Sequence, residues 1–117
     1  DYLEKFEKSD QYLKNDISLP GLAAYCKTNT KYLSRIINIH KGMDFNNYIN
    51  KLRIQYIIEK LNNEPEYMKY KIATLAEETG FSSQNKFATN FKKVTSISPS
   101  VFIKYLQDQK NIDQQNH

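Results

Sequence analysis

The segment from Phe45 to about Leu61 is the strongest constraint on how this chain can fold. Asp44 offers a capping carboxylate and no Gly or Pro interrupts the run, so it reads as one helix of roughly 25 Å at about 1.5 Å per residue. Its apolar residues fall into two sets. Phe45, Tyr48, Ile49 and Leu52 share one face, and Ile54, Ile57, Ile58 and Leu61 repeat the same spacing nine residues on. Nine residues turn a helix by about 900°, a net half turn. The helix must therefore bury one side at its start and the opposite side at its end, as a rod shared by two small cores would.

The flanking segments supply those cores. Before the rod, Ser18 caps a short helix with Pro20 in its first turn and Leu19, Leu22, Ala23 and Cys26 on one face. Asn29 caps the next, in which Leu33, Ile36, Ile37 and His40 turn inward and Gly42 ends the helix. After the rod, Asn62 to Lys71 contains Pro65 and reads as a connection with a short turn at Tyr67 and Met68. Ile72, Leu75, Ala76 and Thr79 then mark a helix closed by Gly80. Ser82 is expected to cap a helix carrying Phe87, Phe91 and Val94 inward, and Ser98-Pro99 to open a last helix reaching about Leu106.

These halves repeat one another. Leu19, Leu22 and Ala23 match Ile72, Leu75 and Ala76 at an offset of 53, while Leu33, Ile37, Gly42 and Tyr48 match Phe87, Phe91, Ser96 and Phe102 at an offset of 54. One residue is inserted at the turn. A short helix with a small inner Ala, a tight turn and a second helix with a polar outer face form a helix-turn-helix signature.

Composition narrows the rest. The chain has 117 residues with three Gly and three Pro, which disfavours sandwiches, barrels and Gly-rich nucleotide sheets. The single Cys26 and the two histidines, His40 and His117, make neither a disulfide nor a zinc cluster. Cys26 reads as core filler and His40 as a helix-end residue favoured by the dipole. Glu77 and Glu78 are adjacent on a helix rather than convergent, and no nucleophile arrangement is present, so an enzyme is not expected. No apolar run approaches the roughly 20 residues of a membrane span, so the chain reads as soluble. Its start at Asp1 suggests a piece of something longer.

The net charge of +4 hides an uneven distribution. Residues 27–60 carry +5 and residues 82–105 carry +4 with no acid, while 61–81 between them carry −2. Two basic islands, each containing the outer face of one repeat, suit two footprints on a polyanion.

Ser18-Leu19 with Leu22-Ala23, Tyr32-Leu33-Ser34-Arg35, Gly42, Phe45, Tyr48, Leu52-Arg53, Ile72, Leu75-Ala76, Gly80-Phe81-Ser82, Phe87, Phe91-Lys92 and Ser98-Pro99 together resemble the DNA-binding domain of AraC/XylS-family transcription regulators. The resemblance runs from about Ile17 to Leu106 and is most specific in the second half. Ser96 departs from it, standing where Gly is usual. What it implies is an all-α, seven-helix domain of two helix-turn-helix units joined by a long linker helix, with no cofactor or small-molecule ligand of its own. The units would span 18–42 and 72–95, the linker helix 44–61 and the last helix 98–106. Residues 1–16 form an N-terminal helical segment outside it, and 107–117 a polar tail expected to be disordered.

Double-stranded DNA is the partner this implies, with RNA polymerase downstream and a sensor or dimerisation region upstream. The whole protein would be cytoplasmic or tethered to a membrane. Base contacts are expected from Lys31, Ser34 and Arg35 in the first unit, Arg35 matching guanine with its planar fork, and from Gln84, Asn85, Lys86 and Thr89 in the second. Phosphate contacts are expected from Lys41, Lys51, Arg53, Lys92, Lys93 and the helix N-terminus at Ser98. Arg53 is equally suited to tying the linker helix to a neighbour. The competing reading is a helical protein-interaction module that keeps the fold without specific DNA binding, since Ser34, Ala88 and Thr89 are short side chains at the reading surface.

Overall fold

A computed structural model describes residues 2–115. Among these, seven α-helices and two 3-10 turns follow one another with no strand: α1 (Tyr2–Glu7), a turn at Gln11–Leu13, α2 (Leu19–Tyr25), α3 (Thr30–Lys41), α4 (Phe45–Asn63), a turn at Pro65–Lys69, α5 (Ile72–Glu78), α6 (Gln84–Thr95) and α7 (Pro99–Gln115). The rod is α4, and its two apolar stripes separate as the spacing requires. Tyr48 and Ile49 join Leu3, Phe6, Leu22, Leu33 and Ile37 in one core, with Phe45 and Leu52 at its edge. Ile54, Ile57 and Leu61, all fully buried, join Leu75, Phe87, Phe91 and Ile103 in the other.

The repeat is visible in the hydrogen bonds. The turn after α2 closes with the Thr28 amide donating to the Ala23 carbonyl at 2.9 Å, and the turn after α5 with the Phe81 amide donating to that of Ala76 at 3.1 Å. Lys27 and Gly80 hold the left-handed corner of each turn, at φ of 56° and 82°. Gly42 and Ser96 hold it at the ends of α3 and α6, at 70° and 71°. Ser96 thus adopts the backbone of its repeat counterpart Gly42, a conformation that costs an L-residue about 1–2 kcal/mol.

Residues 1–16 are not one helix. α1 docks Leu3 and Phe6 in the first core, and the following turn buries Tyr12 against Phe6, ring centroids 6.1 Å apart. The turn then runs to the second unit, where Gly80 lies so close to Leu13 that a Cβ there would sit 2.3 Å from the Leu13 carbonyl oxygen. Glu7 accepts hydrogen bonds from Tyr48 Oη at 2.5 Å and pairs with Lys41 Nζ at 2.9 Å. Burial works to raise the Glu7 pKa, but the Tyr48 hydroxyl and the Lys41 ammonium outweigh it and hold the carboxyl below its ordinary 4.5.

Residues 107–115, expected as a disordered tail, instead continue α7 to Gln115. Phe102, Ile103 and Leu106 fix its first turns on the second core, and extending a nucleated helix is cheap where no Gly or Pro intervenes. Lys104 pairs with Asp108 one turn on at 3.3 Å. Residues 116 and 117 lie outside the described range.

Two predictions follow from these contacts. Gly42→Ala should cost about 1–2 kcal/mol, the backbone term alone, because a Cβ there meets nothing within 4 Å. Gly80→Ala should cost more than about 3 kcal/mol, because the same term adds to a backbone clash. Urea denaturation of the two variants tests the order. Because the folded pKa of Glu7 is depressed, its stabilisation is complete above the unfolded value of 4.5 and disappears as pH falls through the lower folded value. Glu7→Gln should therefore flatten the loss of stability between about pH 5 and about pH 3, measured as urea midpoints against the unsubstituted protein.

Candidate nucleic-acid interface

α3 and α6 are both 12 residues long and begin with the same device. Asn29 Oδ1 accepts from the Tyr32 amide at 2.8 Å, and Ser83 Oγ accepts from the Lys86 amide at 3.1 Å. The cap of α6 is therefore Ser83, not Ser82. Ser82 is the inserted residue: the turn bond ends at Phe81, and one more residue is needed before the backbone becomes helical. With that register, Asn29 and Ser83, Lys31 and Asn85, Arg35 and Thr89, and Asn38 and Lys92 all correspond at 54 residues.

At about 100° per residue, Lys31, Arg35 and Asn38 lie within about 60° of one another's direction on α3, as do Asn85, Thr89 and Lys92 on α6. All six are exposed, while Leu33 and Ile37, or Phe87 and Phe91, anchor the opposite face. Ser34 sits at the edge of this face and is half-buried. Gln84 and Lys86 are exposed but flank it on either side by about 100°. Asn38, absent from the candidates read off the sequence, was findable as the repeat partner of Lys92.

The expected phosphate ligands divide. Lys51, Lys92 and Lys93 are exposed, and Lys93 Nζ donates to Asn47 Oδ1 at 2.9 Å, joining α6 to the start of α4. Ser98 precedes α7, its Oγ accepting from the Val101 amide at 3.3 Å. Lys41 is engaged with Glu7, and its ammonium also lies 5.8 Å from the Tyr48 ring. Arg53 does not face outward at all. It is 7% exposed, donates from Nε to the Tyr12 carbonyl at 2.7 Å and from Nη2 to that of Lys14 at 2.8 Å, and stacks over Phe81 at 5.3 Å. Burial pulls its pKa down from the usual guanidinium value. The expectation of a phosphate contact by Arg53 is corrected on this geometry: its donors hold the N-terminal segment. Among the described residues, Lys31, Arg35, Lys51, Lys86, Lys92 and Lys93 form no salt bridge, which leaves them available to an anion. Cys26 is buried, and burial pushes its thiol pKa up, as a core residue requires. No group of three or more metal-ligating side chains occurs among the described residues.

Two capped helices carrying equivalent polar faces on one shared rod define a double helix-turn-helix nucleic-acid-binding domain. A family model described as a helix-turn-helix domain matches residues 22–105. The chain belongs to that family, the helix-turn-helix domains of AraC-type regulators. It is 28% identical over 107 residues to the TCP pilus virulence regulatory protein of Vibrio cholerae, covering 88% of this chain and 37% of that one. The C-terminal domain of AraT, a response regulator from Geobacillus stearothermophilus, superposes with a TM-score of 0.72 at 25% identity, covering 89% and 84%. The DNA-binding domain of AdpA, solved with a target DNA, superposes with a TM-score of 0.77 at 15% identity, covering 94% and 96%, and shares the fold.

The cap assignment predicts that Ser83→Ala will cost about 1 kcal/mol and Ser82→Ala less than about 0.5 kcal/mol. Thermal denaturation of the pair decides between them; the reverse order would move the start of α6 by one residue and with it the polar face.

Proposed function

We propose that α3 and α6 enter successive major grooves on one side of duplex DNA, about one helical turn apart. The observation that carries this is the matched pair of caps and polar faces on helices fixed to one rod. Each face reads its own box. Because Lys31, Ser34 and Arg35 differ from Asn85, Lys86 and Thr89, the preferred site is asymmetric. Arg35 reads guanine, Asn85 and Gln84 suit adenine, and Thr89 suits a thymine methyl. Lys51, Lys92, Lys93 and the amides at the start of α7 contact phosphates, positioning the helices without reading sequence.

The matched region spans 37% of the Vibrio regulator's length, so the whole protein adds more than this domain. In this reading an upstream region senses a signal or dimerises, the domain works in the bacterial cytoplasm, and bound protein recruits or blocks RNA polymerase. Among the described residues no helix is long and apolar enough to cross a membrane.

Duplexes selected by this domain from a random pool supply the probe. Arg35→Ala should lose roughly 1–3 kcal/mol of binding, confined to sites with an intact first box. Lys92→Ala should weaken binding to every sequence alike and lower the salt slope by about 1. Failure to bind any duplex even at low salt would reject DNA binding and leave an interaction module.

A further inference from the structure

Arg53 lies on α4 between the two apolar stripes, and both units meet at its side chain. The guanidinium donates to the Tyr12 and Lys14 carbonyls at 2.7 and 2.8 Å and stacks 5.3 Å from the centre of the Phe81 ring. A Cβ built on Gly80 would meet its Nη2 at 3.1 Å. On one side, residues 12–14 lead into the first unit: the Lys14 carbonyl also accepts from the Ile17 amide at 3.3 Å, and Ser18 caps α2. On the other side, Gly80 and Phe81 form the turn of the second unit, between α5 and α6. One side chain thus holds the entry of one helix-turn-helix to the turn of the other.

The rod alone is a softer coupling. One base pair inserted between two boxes in successive major grooves carries the second box about 3.4 Å along the duplex and about 35° around it. To follow it, α4 would have to twist by that angle over the nine residues separating Phe45 from Ile54, or about 4° per residue. Helical dihedrals scatter by about 15–20°, so a helix by itself can take up such a twist. The contacts at Arg53 resist it. Both hydrogen bonds are short for N–H···O pairs, which range over about 2.7–3.2 Å, and the Gly80 Cα has no space toward the Leu13 carbonyl oxygen, 2.3 Å from where a Cβ would stand. A lysine would not serve equally, since only the planar fork aims two donors at two fixed carbonyls.

We propose that Arg53 is a positioning residue for two-box recognition: by fastening the N-terminal segment to the Gly80–Phe81 turn, it fixes the spacing between boxes that the domain accepts, without touching DNA itself. The proposal rests on α3 and α6 entering successive grooves. The rod then sets which way the two reading helices face, and Arg53 sets how far one unit can twist against the other.

Two variants test this: Arg53→Met, which keeps an apolar stem without donors, and Arg53→Lys, which keeps the charge without the fork. Circular dichroism establishes folding, and the lysine variant decides if the methionine variant does not fold. The first measurement needs no DNA. Spin labels at Ile39→Cys on α3 and Tyr105→Cys on α7, positions 67% and 57% exposed, report the distance between the units by pulsed electron paramagnetic resonance. Cys26 is buried, so the unsubstituted protein supplies the labelling blank. The distance distribution should be at least about twice as broad in the variants as with Arg53. The second measurement, on unlabelled protein, compares duplexes carrying both selected boxes at the selected spacing and with one base pair inserted between them. With Arg53 the insertion should weaken binding at least about tenfold, and in the variants at most about threefold. Both duplexes offer the same boxes, so the ratio does not register the charge lost in Arg53→Met. A distribution of unchanged width, or a spacing penalty equal with and without Arg53, would overturn the proposal. If the unsubstituted protein bound no duplex, the groove reading would fail and the spacing role with it, whereas unchanged width beside tight, spacing-selective binding would overturn the role of Arg53 alone.

Discussion

The two-sided burial of α4 is what the rest of the structure depends on. Neither helix-turn-helix unit has a core without it, for Tyr48 and Ile49 complete the first and Ile54, Ile57 and Leu61 the second. The angle between the two recognition helices is therefore written into the number of residues between the stripes. Inserting one residue in the middle of α4 would rotate one unit against the other by about 100°, a change no side chain could absorb.

A second fastening backs up the rod. The N-terminal segment leaves the first core at Tyr12 and passes Arg53 and Gly80 before α2 begins, touching both units on the way. Arg53 is expensive to bury, and it is kept because two carbonyls and the Phe81 ring replace the water it gives up. The Lys93 bond to Asn47 ties the units again. Three short contacts thus hold what a longer hydrophobic interface would otherwise supply in a chain this small.

Periodicity made α2 to α6, both cores and the repeat legible in the sequence, because each depends on spacing that one chain can display; the stripes were read one residue too long, for His40 and Val94, expected to turn inward, are exposed near the ends of α3 and α6. The polar faces followed from the same spacing, and the family model and superposed structures agree with the double helix-turn-helix they imply. Three features were not legible. Arg53 carries the same charge whether it meets a phosphate or two carbonyls, and only the path of residues 12–14 decides which. Ser82 and Ser83 are chemically identical as caps, so the insertion in the turn, visible as a change of offset, was needed to choose between them. The length of α7 depends on nucleation by Phe102, Ile103 and Leu106, a tertiary contact, while the residues beyond Leu106 are polar enough to suit either state.

Four left-handed corners shape the two units, and their residues are distributed unevenly: Lys27 and Gly42 in the first, Gly80 and Ser96 in the second. Each unit has one corner occupied by the residue that fits it without strain and one by a residue that does not, and the positions are exchanged between the copies. The two halves have drifted apart at every corner yet carry a similar local backbone cost, so neither is the softer partner on this account. A duplicated domain that must present both reading helices at once gains from that balance, since neither half carries more of the backbone strain than the other.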